Sequence, residues 1–200
     1  MQTDTYNTIK LPSEGLFKDK GSKFLSFAYP IRSEDEVKPI VQELKKQHHN
    51  ARHHCFAYRL GYVGESYRAN DDGEPSGTAG RPILGQLLSH NITNVLIVVV
   101  RYFGGTLLGV SGLINAYKNA ANDAIINAQI EEKIEVVFYK LFFDYHLQNM
   151  MNKTIKDFGI ELANSSFSTN CCYTIAIRQN DCEQALAALG KLDGLQVERL

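Results

Sequence analysis

No apolar run in the chain approaches the ~18 to 20 residues needed to span a bilayer, and residues 1–20 lack the apolar core of a signal peptide. No membrane partner is expected, and the sequence reads as cytoplasmic. Charge of one sign is lacking too. Lys and Arg number 21 against 22 Asp and Glu, for a net charge of −1, which excludes a protein that coats nucleic acid through global basicity. Any anion site must be local. Cysteine is sparse: Cys55, Cys171, Cys172 and Cys182 form no C-x-x-C pair and sit in apolar strand-like or helical contexts. That suits reduced, buried thiols and no disulfide. Catalytic signatures are missing as well, with no Ser-His-Asp spacing and no nucleophile elbow. No lysine follows the glycines at the spacing of a phosphate-binding loop.

What is present is concentrated between Asp71 and Tyr117. Residues 95–100 form an unbroken, mostly β-branched apolar run, which predicts a strand buried on both faces. At its end come Arg101, Tyr102 and Phe103, then Gly104, Gly105 and Gly109. Such a sequence predicts a sharp turn with exposed backbone N–H groups ahead of a helix. Upstream, Gly73, Pro75, Gly77 and Gly80 make a second permissive loop, where Ser76 or Thr78 can cap a helix over residues 82–89. The expectation is two glycine-rich loops, each opening a helix and each carrying an arginine.

With 44% hydrophobic residues, the 200-residue chain can bury one large or two small cores. Residues 6–11 read as a strand, and 14–19 with 23–31 as a hairpin turning at Lys20, Gly21 and Ser22. Ser33 and Glu36 have capping-box spacing ahead of a helix reaching about His48, although Pro39 implies a later start or a kink. Residues 53–62 alternate as a strand, and 66–69 read as its hairpin partner. A helix is expected over 111–128. Glu131, Glu132 and Lys133 then break the apolar pattern, which places a boundary near Ile134. Beyond it, strand, helix, two strands, helix and strand follow in the split ferredoxin-like order. The fold class is α+β, with domains at 1–133 and 134–200.

At RPILGQL, at VVVRYFGGTLLG with GLINAY, and at DDGEPSGTAG, the sequence resembles the IMPACT family, in its bacterial YigZ-like branch. The resemblance covers nearly the whole chain. It implies an N-terminal IMPACT domain folded like the second domain of a small-subunit ribosomal protein. It also implies a C-terminal ferredoxin-like domain similar to the fifth domain of elongation factor G. Ser111 departs from the pattern, standing where glycine is common. Eukaryotic members are translation-linked regulators of a stress kinase, and the resemblance therefore implies a regulatory role.

The candidate anion- or nucleic-acid-binding residues are Lys20, Lys23, Arg59, Arg68, Arg81, Arg101 and Lys118 as cations. Tyr102 and Phe103 are the stacking faces, and Ser76, Thr78, Gly104 and Gly105 the loop donors. Arg101 has two readings: a phosphate or carboxylate contact, or a clasp to Asp71, Asp72 or Glu74. On the first, replacing it costs binding more than folding. The acidic trio reads as a solvated turn rather than a Mg²⁺ site, and the histidines between His48 and His54 straddle a helix end and a strand start, which speaks against zinc. No cofactor is expected. The leading function is an RNA- or ribosome-associated regulator, with a regulatory protein partner also possible. The alternatives are an enzyme acting on a small phosphorylated or anionic substrate in the groove between residues 73–81 and 101–112, and a protein adaptor without a ligand site.

Overall fold

The computed structural model describes residues 3–200. Among them are two compact units, residues 6–133 and residues 3–5 together with 134–200. Each has its own core.

In chain order the larger unit comprises β1 (Thr5–Ile9), β2 (Ser13–Asp19), β3 (Ser22–Pro30), α1 (Val37–Gln47), β4 (His53–Leu60) and β5 (Ser66–Asn70). Then come α2 (Gly80–Ser89), β6 (Val95–Tyr102), α3 (Gly109–Ile126) and β7 (Ile130–Ile134). Five strands form an antiparallel sheet in the order β2-β3-β6-β4-β5. The apolar run makes β6 the centre. Antiparallel strands usually alternate apolar with polar because one face is wet, yet every residue from Val95 to Val100 is fully buried. The two-residue period explains why. Val95, Ile97 and Val99 enter the core under α2 and α3, whereas Leu96, Val98 and Val100 join the core under α1. Helices thus cover both faces of the sheet.

Local chemistry sets the connections. Lys20 and Gly21 both take positive φ, 41° and 78°, as the two-residue turn between β2 and β3 requires. Glu36 accepts from the backbone N–H groups of Arg32 at 2.7 Å and Ser33 at 3.0 Å. A 3₁₀ turn over Glu34–Glu36 then leads into α1. The α-helix starts only at Val37, the later start that was one of the two outcomes Pro39 allows, and Pro39 is then its third residue, in the first turn where an N–H has no intrahelical acceptor. The charged segment Glu131–Lys133 belongs to a strand rather than a break: it lies in β7, alternates exposed with half-buried positions, and β7 pairs with β1.

The smaller unit runs β8 (Val136–Phe143), α4 (Gln148–Asp157), β9 (Glu161–Phe167), β10 (Cys171–Arg178), α5 (Cys182–Leu189) and β11 (Gln196–Arg199). Its antiparallel sheet has the order β11-β8-β10-β9, the split ferredoxin-like arrangement. Leu141, Phe143, Met151, Tyr173, Ile175 and Leu189 fill the core. Asp4 also belongs here. Its carboxylate accepts Nη2 and Nε of Arg178 at 2.8 and 3.1 Å, and that pairing holds its pKa below the ordinary value. Among the described residues no helix is long and apolar enough to cross a membrane.

Candidate functional site

The pairing register assembles the site. Arg101, near the end of β6, lies between Phe24 of β3 and His53 of β4. Its guanidinium is sandwiched, 5.5 Å from the Phe24 ring centre and 5.7 Å from that of Phe103, an arrangement that favours a cation over both ring faces. Nη1 donates to Oε1 of Glu74 at 2.6 Å, and the Tyr117 hydroxyl donates to the same oxygen at 2.8 Å. Both charged side chains are more than nine-tenths buried. Of the two readings of Arg101, the structure shows the clasp, and the partner is Glu74.

Above this pair opens a cleft of about 390 Å³, lined by Arg52, His53, Glu74, Pro75, Arg101, Phe103, Leu107, Leu108, Gly109, Val110 and Leu113. The loops after β5 and β6 therefore meet in one concavity. Phe103, Leu107 and Val110 rim it and are 49, 83 and 60% exposed, so apolar surface stands open to water. His53 donates Nδ1–H to the Asp72 carbonyl at 2.9 Å, since a carbonyl can only accept. Its Nε2 lies 4.0 Å from Glu74 Oε1. Beneath the cleft, Cys55 is within 3.3 Å of the Tyr117 hydroxyl. Burial pushes both the Cys55 thiol and the Tyr117 phenol well above their ordinary pKa values, so neither is a ready nucleophile.

The acidic trio is not a solvated turn. Asp71 accepts the N–H groups of Gly77 at 2.8 Å, Ala79 at 3.0 Å and Gly80 at 2.8 Å. It thereby caps the N-terminus of α2, the part expected of Ser76 or Thr78. Ser76 is exposed, and the buried Thr78 donates instead to the Pro75 carbonyl at 2.7 Å. Burial alone would raise the Asp71 pKa, but those N–H bonds, with Arg81 nearby, bring it below the ordinary value. Asp72 accepts Lys45 at 2.9 Å and the His54 N–H at 2.7 Å.

The other sequence candidates fall into separate places. Lys20 and Lys23 are exposed on the β2–β3 hairpin, whose turn abuts Gly104: a Cβ there would lie 1.9 Å from the Gly21 carbonyl carbon. This brings them beside Tyr102, Phe103, Gly104 and Gly105. Tyr102, however, is bonded to His48 on the α1 side at 2.9 Å. Arg59 is committed to the carbonyls of Val63 and Ile92 at 2.8 and 3.3 Å. Arg68 lines a different concavity beside α1, and Arg81 and Lys118 are exposed on α2 and α3. Sequence reading placed a groove between residues 73–81 and 101–112, which holds Leu107 and Val110, but did not bring Arg52 or His53 to it. Only the β4–β6 register, which sets His53 opposite Arg101, identifies these two.

A family profile described as the Impact N-terminal domain matches residues 20–125. The chain is 32% identical over 160 residues to the IMPACT family member YigZ of Escherichia coli, covering 79% of this chain and 78% of that protein. The chain belongs to the IMPACT family. A Protein IMPACT homolog from Dictyostelium discoideum is 38% identical over 97 residues, covering 46% of this chain and 27% of that one. A crystal structure described as that of a hypothetical protein has a TM-score of 0.73 at 27% identity, covering 100% of this chain and 98% of that chain. The two-domain architecture and the bacterial YigZ-like character thus belong to a family with solved structures.

Proposed function

We propose that this IMPACT-family chain is a translation-linked regulatory protein that works by association, holding RNA or a ribosomal particle at the end of the larger sheet. The observation that carries the reading is the exposed Phe103 beside the cleft. Exposed Arg52 lines the same cleft, and the β2–β3 turn that carries the exposed Lys20 abuts Gly104, next to Phe103. An aromatic face stacks on unpaired bases of any identity, and flanking cations hold the phosphates. Family membership supports the link to translation, the role that the resemblance implies for eukaryotic members. With a net charge of −1 there is no global attraction to add to the local contacts, and phosphate contacts make the affinity salt-dependent.

The test is retention of labelled single-stranded RNA and of purified ribosomal particles across a salt series. Binding at low salt that weakens as salt rises is the expected result. No retention of either at low salt sinks the reading. Binding of ribosomal particles that ignores salt would favour docking of a protein partner on Phe103, Leu107 and Val110, which are exposed enough to offer it.

A further inference from the structure

The cleft floor is chemically specific. Oε1 of Glu74 takes both Arg101 Nη1 and the Tyr117 hydroxyl. Among the described residues, Nη2 of Arg101 and Oε2 of Glu74 have no protein partner, and neither belongs to the polar atoms shut away from solvent. The floor therefore offers the N–H groups of Arg101 Nη2 as donors and, as acceptors, Glu74 Oε2 and the Nε2 of His53, whose Nδ1–H is taken by the Asp72 carbonyl. Its walls are apolar: Phe103, Leu107, Leu108 and Leu113.

Three ligand classes can be weighed against that floor. A free anion gains from Arg101 but meets the Glu74 carboxylate beside it, so the two effects oppose each other. A purely apolar group fills the walls but leaves a donor and an acceptor dry, which costs more than the contacts return. A neutral planar group with a donor and an acceptor on one edge satisfies walls and floor together. Arg52 narrows the class further. It lines the mouth, is exposed and has no ion pair among the described residues, which places an uncommitted cation where a planar ligand would carry a phosphate. The volume of about 390 Å³ falls within the ~300–1,000 Å³ of small-ligand sites.

We infer that the cleft is a nucleobase pocket: one base, flat against Phe103, is read at its polar edge by Glu74 Oε2 and Arg101 Nη2, while Arg52 holds its phosphate. The base is either that of a free nucleotide or an unpaired one in RNA. The inference rests on the association reading above only for the second source.

The experiment is titration of the full chain with the four nucleoside monophosphates, with ribose 5-phosphate as the base-free control, and with a labelled unstructured RNA. Calorimetry reads the small ligands and anisotropy the RNA. Phe103→Ala removes the wall and, with it, one of the two rings over the Arg101 guanidinium, so its melt is recorded beside wild type and affinities are compared where both are folded. At least one nucleotide is expected to bind while ribose 5-phosphate does not, and Phe103→Ala should weaken it about tenfold. Nucleotides binding more tightly than RNA identify the free nucleotide as the ligand; RNA binding more tightly identifies the unpaired base. Ribose 5-phosphate binding as well as the nucleotides would overturn the inference in favour of an anion site. RNA binding that is indifferent to Phe103→Ala, with no nucleotide bound, would overturn the pocket and leave the association reading standing. Failure of every probe ends the pocket, and the association reading then stands or falls on the ribosomal particles alone.

Discussion

Glu74 and Arg101, 27 positions apart in the chain, meet at 2.6 Å with both side chains almost wholly buried. This contact joins the loop after β5 to the last turn of the central strand. Removing one partner of such a pair leaves the other charge uncompensated away from water, which costs ~3 to 5 kcal/mol.

Arg101→Ala is accordingly expected to lower the urea-unfolding free energy of the larger unit by ~3 to 5 kcal/mol. Arg101→Lys should recover only part of it, since an ammonium cannot lie flat between Phe24 and Phe103. The sequence reading of Arg101 as a phosphate contact expects the reverse, with binding lost and folding spared; the buried ion pair to Glu74 is the observation that favours the clasp. A midpoint unchanged in Arg101→Ala would show that the pair contributes nothing to the fold.

Asp71 closes the N-terminal end of α2 through three backbone N–H groups. Asp71→Ala should destabilise by ~0.5 to 2 kcal/mol, the range for lost helix caps, whereas Ser76→Ala should lie within ~0.5 kcal/mol of wild type. Thermal melts of both variants check this, and equal losses would return the cap to the loop serine.

Gly104 is fixed by proximity rather than by torsion. Because a Cβ at this position meets the Gly21 carbonyl carbon at 1.9 Å, Gly104→Ala has to push the β2–β3 turn away, at a cost of ~1 to 3 kcal/mol. Chemical denaturation measures it, and a neutral result would mean that the two loops separate freely.

His54 supplies a pH dependence. Burial holds its pKa below the ordinary 6.5, outweighing the nearby Asp72 carboxylate, with Lys45 and His48 acting in the same direction as burial. The unfolded chain thus takes up this proton first as the pH falls. The contribution to stability is complete above about pH 6.5 and drains as the pH drops through that value toward the lower folded-state pKa. Between pH 7.5 and 5.5 the melting temperature of wild type should fall further than that of His54→Leu. Equal falls would remove His54 from the account.

Elements with one dominant local signal were legible in the sequence. The central strand announced itself through residues 95–100, and the ferredoxin-like order through its alternating strands and helices. The hairpin at Lys20 was legible because only a tight turn suits Lys-Gly-Ser between two strands. Relations that depend on register were not. Nothing in the spacing of Asp71, Asp72 and Glu74 says that the first caps a helix, the second holds β4 and the third is buried under Arg101. That division follows from which way the loop between β5 and α2 faces after β5 and β4 pair. The cleft shares this origin: His53 faces Arg101 only through the β4–β6 pairing, and the spacing does not say that Leu107 in the loop and Val110 in the first turn of α3 stay exposed.

The claim that matters most is that the Phe103 rim of the cleft is a binding face. It is tested most directly by the anisotropy of a labelled unstructured RNA at low salt, with wild type beside Phe103→Ser/Leu107→Ser. Both substituted positions are exposed, so the double variant should stay folded and melt close to wild type, lower only by the Phe103 ring it removes from the Arg101 guanidinium. The account predicts that it binds RNA roughly five- to 150-fold more weakly, since lost stacking costs ~1 to 3 kcal/mol. A double variant that stays folded and binds RNA equally well would contradict it.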